Sequence, residues 1–231
     1  MQLRYAQKVL IAACAAVLLP VTPARAELVL SNLIVDLQPG KHTRDDVEVW
    51  NNSPERTFVA VEPREILDAS MPSQRIHRDP DPEKLGLLVS PTRMILEPGQ
   101  RKLVRIASIA SAADRERVYR VTIKPVVGGI ESKESGLKLL VGYDVLVLVR
   151  PARPLRNVTA RRIGRSLTFQ NSGNVSVEVV DGRQCNSTHA QCTNLPGKRL
   201  YSGATWTVDL PSDLPVEYML KSPNASDRET F

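Results

Sequence analysis

Apolar and polar residues alternate in short runs along most of this chain, and the longest such run is Leu137 to Pro151. Its odd positions, Leu137, Leu139, Val141, Tyr143, Val145, Val147 and Val149, are all apolar. The even positions mix Lys138, Gly142, Asp144 and Arg150 with leucines. A period of two places the odd set on one face of a β-strand. At ~3.3 Å per residue that strand would reach roughly 45 Å, well past the usual five or six residues. A long apolar strand at a sheet edge promotes aggregation unless something pairs with it. The pattern therefore predicts an edge that has a partner.

Shorter alternating runs bounded by turn residues fill the rest of the chain. They are Leu28 to Leu37, Asp46 to Trp50, Thr57 to Val61, Leu85 to Val89, Arg93 to Leu96, Lys102 to Ile106 and Val118 to Val127. Asn51-Asn52-Ser53-Pro54, Pro98-Gly99 and Gly128-Gly129 punctuate them. Helical periodicity is nearly absent, and strands at this spacing predict β-sandwich architecture. Asp68 to Lys84, with Pro72, Pro80 and Pro82, reads as a surface loop. Arg150-Pro151-Ala152-Arg153-Pro154 stiffens the chain and ends the long strand, which predicts a domain boundary there. Further strands follow at Asn157 to Ala160, Ser166 to Asn171, Val175 to Val180, Thr205 to Leu210 and Val216 to Leu220. The expected fold class is all-β, with a domain over residues 27–151 and a smaller one over 152–231.

Residues 1–26 read as an export signal. Arg4 and Lys8 precede the apolar run Val9 to Val21, and Ala24-Arg25-Ala26 fits a cleavage site. The run is too short to span a bilayer, so no integral membrane segment is expected after cleavage. Ile11-Ala12-Ala13-Cys14 also resembles a lipobox, the competing reading for this segment. The signal's Arg4, Lys8 and Arg25, with no acid among them, account for half of the +6 formal charge. The remaining cations are scattered, which argues against nucleic acid as a partner. In an oxidising compartment Cys185 and Cys192 are expected to form a disulfide. The alternative, a metal held by these two cysteines and His189, lacks a nearby fourth ligand. No metal or other cofactor is expected. His42, His77 and His189 are the only histidines, and no hydrolase or phosphate-loop motif accompanies them, so an enzyme is not expected.

Four ordered segments resemble the periplasmic PapD-like chaperones that assemble pili. They are Leu87-Leu88-Val89-Ser90-Pro91 with Leu96-Glu97-Pro98-Gly99-Gln100 and Leu103-Val104-Arg105-Ile106; Glu116-Arg117-Val118-Tyr119-Arg120-Val121; the long strand ending at Arg150-Pro151; and Asn171-Ser172-Gly173-Asn174. The resemblance implies two immunoglobulin-like β-sandwich domains set at an angle. It also implies a function, holding pilus subunits that lack their last strand by lending them the long edge strand, and delivery to an outer-membrane usher. The side chains implied to enter the subunit are Leu137, Leu139, Val141 and Tyr143. Glu116 and Arg150 match an interdomain ion pair of structural role, and Arg105 a structural cation. Self-dimerisation through the same edge is a further implied contact.

The larger branch of that family anchors the subunit's terminal carboxylate with an arginine on the first strand and a lysine on the donor strand. Here the corresponding positions are in Asn32-Leu33-Ile34-Val35 and at Leu146, and neither cation is present. This departure is more like the alternative branch that builds thin fimbriae. Two other readings of the sequence are a pilus subunit or adhesin, and a generic exported immunoglobulin-like binder, for which the N-x-S/T sites at Asn51, Asn157, Asn174, Asn186 and Asn224 would matter.

Overall fold

The computed structural model describes residues 27–111, 113–126, 140–186, 188, 190–223 and 225–231. The expected signal segment, Leu137, Leu139 and His189 lie outside the described residues. Strands before residue 150 are β1 (Leu28–Leu30), β2 (Ile34–Leu37), β3 (Arg44–Asn51), β4 (Thr57–Leu67), β5 (Arg75–His77), β6 (Leu87–Ser90), β7 (Arg93–Leu96), β8 (Arg101–Ser108), β9 (Arg117–Val126) and β10 (Tyr143–Val149), with one helical turn, α1 (Pro82–Leu85). After it come β11 (Val158–Ile163), β12 (Ser166–Asn171), β13 (Val177–Cys185), β14 (Cys192–Leu195), β15 (Lys198–Leu200), β16 (Thr205–Asp209), β17 (Val216–Ser222) and β18 (Ala225–Thr230).

Two sheets face each other in the first sandwich. One has the order β1-β3-β8-β6, and the other β2-β10-β9-β4-β5, with β7 also pairing β4. Their inner faces bury Val47, Val49, Val104 and Ile106 against Val59, Val61, Tyr119, Val121, Ile123, Val145 and Val147. The apolar run Leu28 to Leu37 is not one strand. It divides at Ser31–Leu33, so that β1 pairs with β3 in one sheet while β2 runs parallel to β10 in the other. One segment thus closes both sheets, a switch that periodicity cannot reveal because both halves alternate.

The expected loop from Asp68 to Lys84 carries β5 and most of α1. Asp81 caps the turn by accepting from the Glu83 N–H, Pro82 starts it, and Gly86 ends it at φ +80°. Glycine is required there for a second reason: a Cβ would lie 2.4 Å from the Arg117 guanidinium. The α1 end therefore packs close to β9, and the Arg117 and Tyr119 side chains both donate to the Leu85 carbonyl, at 3.0 and 3.1 Å.

The second sandwich stacks β11-β12-β16 on β14-β13-β17-β18, with β15 pairing β13 beyond β14. Its core is smaller and more aromatic: Phe169 stacks with Trp206 and meets Tyr218 and Phe231 edge-on. Cys185 and Cys192 pair across β13 and β14 and form a disulfide. With both thiols in that bond, the metal alternative loses two of its three ligands.

Candidate functional site

The side chains of β10 alternate as the sequence demands. Val145, Val147 and Val149 point into the first core, and Leu146 and Leu148 point to the opposite face, where they meet Val118, Ile66, Ala69 and Tyr201. Tyr143 packs at the rim of the first core, its hydroxyl donating to the Leu28 carbonyl at 2.7 Å. Val141, on the same alternation, is 58% exposed. The inward apolar face of β10 therefore continues beyond the core that fills it.

The two edges of β10 differ. On one side β9 pairs with it along its whole length, from Tyr143↔Ile123 to Val149↔Arg117. On the other, β2 pairs only from Leu146 onward, with the Leu146 N–H donating to the Leu33 carbonyl and the Arg150 N–H to the Leu37 carbonyl. Backbone groups of even residues face this second edge, so the N–H and C=O of Asp144 face it too, with no strand opposite among the described residues. An unpaired edge beside an exposed apolar face is suited to strand addition.

A belt of charge crosses the outer face beside that edge. The cross-strand register aligns Ile34, Leu146, Arg120 and Arg64 in one row, and Asp144, Thr122 and Glu62 in the next. Arg64 holds the Asp144 carboxylate through two hydrogen bonds of 2.9 and 2.8 Å, and Lys124 pairs with Glu62 at 2.9 Å. Gly142 fits closely against β9 here, since a Cβ would come within 2.7 Å of the Lys124 Cβ.

Arg150 lies at the end of β10 and is 5% exposed. It pairs with Glu116, whose side chain is 2% exposed, and holds Asp36 of β2 through two hydrogen bonds. Glu116 also accepts from the Ser176 N–H of the second sandwich at 3.1 Å. Arg199, which pairs with Glu178, donates to the Ser176 hydroxyl at 3.3 Å. Burial works against the Arg150 charge, but the carboxylates of Asp36 and Glu116 outweigh it and hold the guanidinium above its ordinary pKa. Two more hydrogen bonds join the sandwiches at the same place, from the Glu116 N–H to the Asn174 carbonyl and from the Asn174 side-chain amide to the Asp114 carbonyl.

Arg105 lies elsewhere. It bonds Asp46 across β3 and β8 on the outer face of the other sheet, and that contact lowers the Asp46 pKa. The structure thus places Val141 just before Tyr143, where β10 begins, and brings Glu116 and Arg150 together at the junction, while Arg105 stands apart. Asp36, Arg64, Arg120 and Asp144 were not anticipated; only the strand register, unknown from sequence, puts them beside the edge. Among the described residues no cluster of metal-ligating side chains occurs, and no helix is long and apolar enough to cross a membrane.

Two sandwiches joined through a buried ion cluster, with β10 left open on part of one edge, define a two-domain immunoglobulin-like binding protein. The model of the pili and flagellar-assembly chaperones, PapD N-terminal domain, matches residues 28–154, and the chain belongs to that family. The chain is similar to the class 5 fimbriae chaperone CfaA, at 20% identity over 88% of this chain and 98% of that one, with a TM-score of 0.64. It is similar to a chain in the structure of the Salmonella enterica SafA pilin in complex with the SafB chaperone, at 16% identity over 91% and 98%, with a TM-score of 0.65. It also resembles a chain of the CsuC–CsuE chaperone–tip subunit pre-assembly complex of Acinetobacter baumannii, at 12% identity over 89% and 98%, with a TM-score of 0.58. At these identities the likeness is one of fold. The curated proteins contain no match to this chain.

Proposed function

We propose that this protein is a periplasmic chaperone that binds pilus subunits by lending them the open edge of β10 and then delivers them to an outer-membrane usher. The observation that carries this reading is the paired asymmetry of β10: β2 covers its edge only from Leu146 onward, and the apolar face continues to the exposed Val141. A subunit lacking a strand would gain main-chain hydrogen bonds from the edge and apolar side chains from Leu137, Leu139 and Val141. Tyr143, packed at the rim of the chaperone's own core, marks where the lent portion ends. Burying three such side chains contributes roughly 5–9 kcal/mol gross, before ordering costs.

On this reading residues 1–26 direct export and are removed, residues 27–151 bind the subunit, and residues 152–231 complete the chaperone. No reaction is catalysed. The absence of a cation at Ile34 and Leu146 favours the alternative branch of chaperone–usher systems.

The test is co-expression with a pilin from the same gene cluster. A Leu139→Asp, Val141→Asp double variant is expected to fold with an unchanged thermal midpoint and to recover no soluble pilin. Undiminished recovery would contradict strand lending.

A further inference from the structure

We propose that Pro125 fixes the point at which β10 parts from β9 and so frees Val141 for a subunit, an inference that rests on the strand-lending reading above. The Leu146 and Arg150 N–H groups donate to the β2 side, so even residues of β10 face β2 and odd ones face β9. Their partners Ile123, Val121 and Tyr119 are the residues of β9 that face back. The next facing pair along this register would be Val141 with Pro125. Proline has no N–H, so that pair lacks the bond from β9 to the Val141 carbonyl. The ladder accordingly begins at Tyr143↔Ile123.

The chain before β10 turns away there, and β9 does not. β9 stays paired with β4 as far as Phe58↔Val126, and Pro125 itself is buried. Its missing N–H costs nothing on the β4 side, because the odd residues of β9 turn their backbone groups towards β10. Gly142 makes the departure possible. In a regular ladder its Cβ would stand about 5 Å from that of the opposite residue. Here a Cβ would come within 2.7 Å of the Lys124 Cβ, so the chain has left the pleat at Gly142. A pocket of about 370 Å³ opens among Leu140, Gly142, Lys124 and Pro125.

Two consequences favour lending. Paired with Pro125, Val141 would aim its side chain at the protein's own core, on the face that Tyr143 and Val145 share. Parted from it, Val141 is 58% exposed and free to enter another core. The vacated stretch of β9 also leaves no donor bare at residue 125, where an unpaired N–H would disfavour the parted state. β4 uses its own proline alike. Pro63 faces away from β9, in the gap between β7, which stops at Ala60↔Arg93, and β5, which begins at Glu65↔His77. In both strands the proline marks an edge without a partner strand. Pro125 is thus a positioning residue: it acts on the subunit through Val141.

Pro125→Val and Pro125→Ala each supply the missing N–H, and Pro63→Val makes a matching change away from β10. Residue-resolved amide exchange follows Val141 in the free mature protein. Capture is timed with a pilin from the same gene cluster, diluted out of urea. Both Pro125 variants are expected to fold and to slow Val141 exchange and pilin capture about fivefold each, the worth of one added ladder bond. Pro63→Val should change neither. Unchanged Val141 exchange in both Pro125 variants would overturn the proposal and leave strand lending intact. So would protection gained with capture at the original rate, an equal slowing in Pro63→Val, or loss of folding in both Pro125 variants. Failure of the unaltered protein to capture pilin would overturn the proposal together with the reading it rests on.

Discussion

Arg150 holds Asp36 through two parallel hydrogen bonds, Nε to Oδ1 at 2.9 Å and Nη2 to Oδ2 at 2.7 Å. The pair ties β2 to the end of β10, and the remaining nitrogen of Arg150 reaches Glu116 and the second sandwich. One guanidinium therefore fixes both the strand that ends the open edge and the junction between the domains.

Removing that guanidinium leaves Glu116 buried without its counter-ion. Arg150→Met is expected to destabilise the protein by about 3–5 kcal/mol, the range for stripping one partner from a buried pair. Urea unfolding would measure this. Adding Glu116→Gln to Arg150→Met should recover part of the loss, because the stranded charge is then gone.

The cysteine pair closes a loop of seven residues in sequence separation. The chain-entropy model gives such a loop about 2.5 kcal/mol. Cys185→Ser with Cys192→Ser should therefore lower the second domain's unfolding free energy, measured in denaturant, by that amount, with subunit recovery retained while the protein stays folded.

Burial raises the Tyr218 phenol to a pKa of about 12. The unfolded chain ionises this group near the ordinary value of about 10, so deprotonation favours unfolding first. Stability that Tyr218 contributes is fully present below pH ~10 and is lost as pH rises towards the folded value. Thermal unfolding between pH 10 and 12 should show a steeper decline for the unaltered protein than for Tyr218→Phe. Parallel declines would refute the assignment.

Period-two alternation revealed most strands of the core and the stop at Arg150-Pro151, because one-sided burial imposes that period directly, but it overran the donor strand: β10 begins only at Tyr143, and residues 140–142 form no strand. It could not reveal the split of Leu28 to Leu37 between sheets, since a strand that changes sheet at Ser31–Leu33 alternates on both sides of the break. Short polar edge strands such as β14 and β18 were missed for the opposite reason: with Asp227, Arg228 and Glu229 in the run, β18 shows little alternation to read. Nor did the sequence suggest that its two halves reuse one device. Asn51 donates its side-chain amide to the Glu55 and Leu96 carbonyls, and Asn171 does the same to Val175 and Leu200, each closing a turn at the end of a strand. The site was legible as a strand but not as an edge with neighbours. Arg120 and Asp144 are twenty-four residues apart, and only the β9–β10 register brings them together.

Residue-resolved amide exchange tests the central claim, that β10 lends its open edge to a subunit. In the free protein the N–H of Asp144, and by the same alternation that of Gly142, should exchange quickly, while those of Val145 and Val147, paired with β9, stay protected. In the complex with a pilin from the same gene cluster, Asp144 and Gly142 should become protected. If both continue to exchange at the free rate while the pilin is bound, the subunit is held elsewhere and strand lending is wrong.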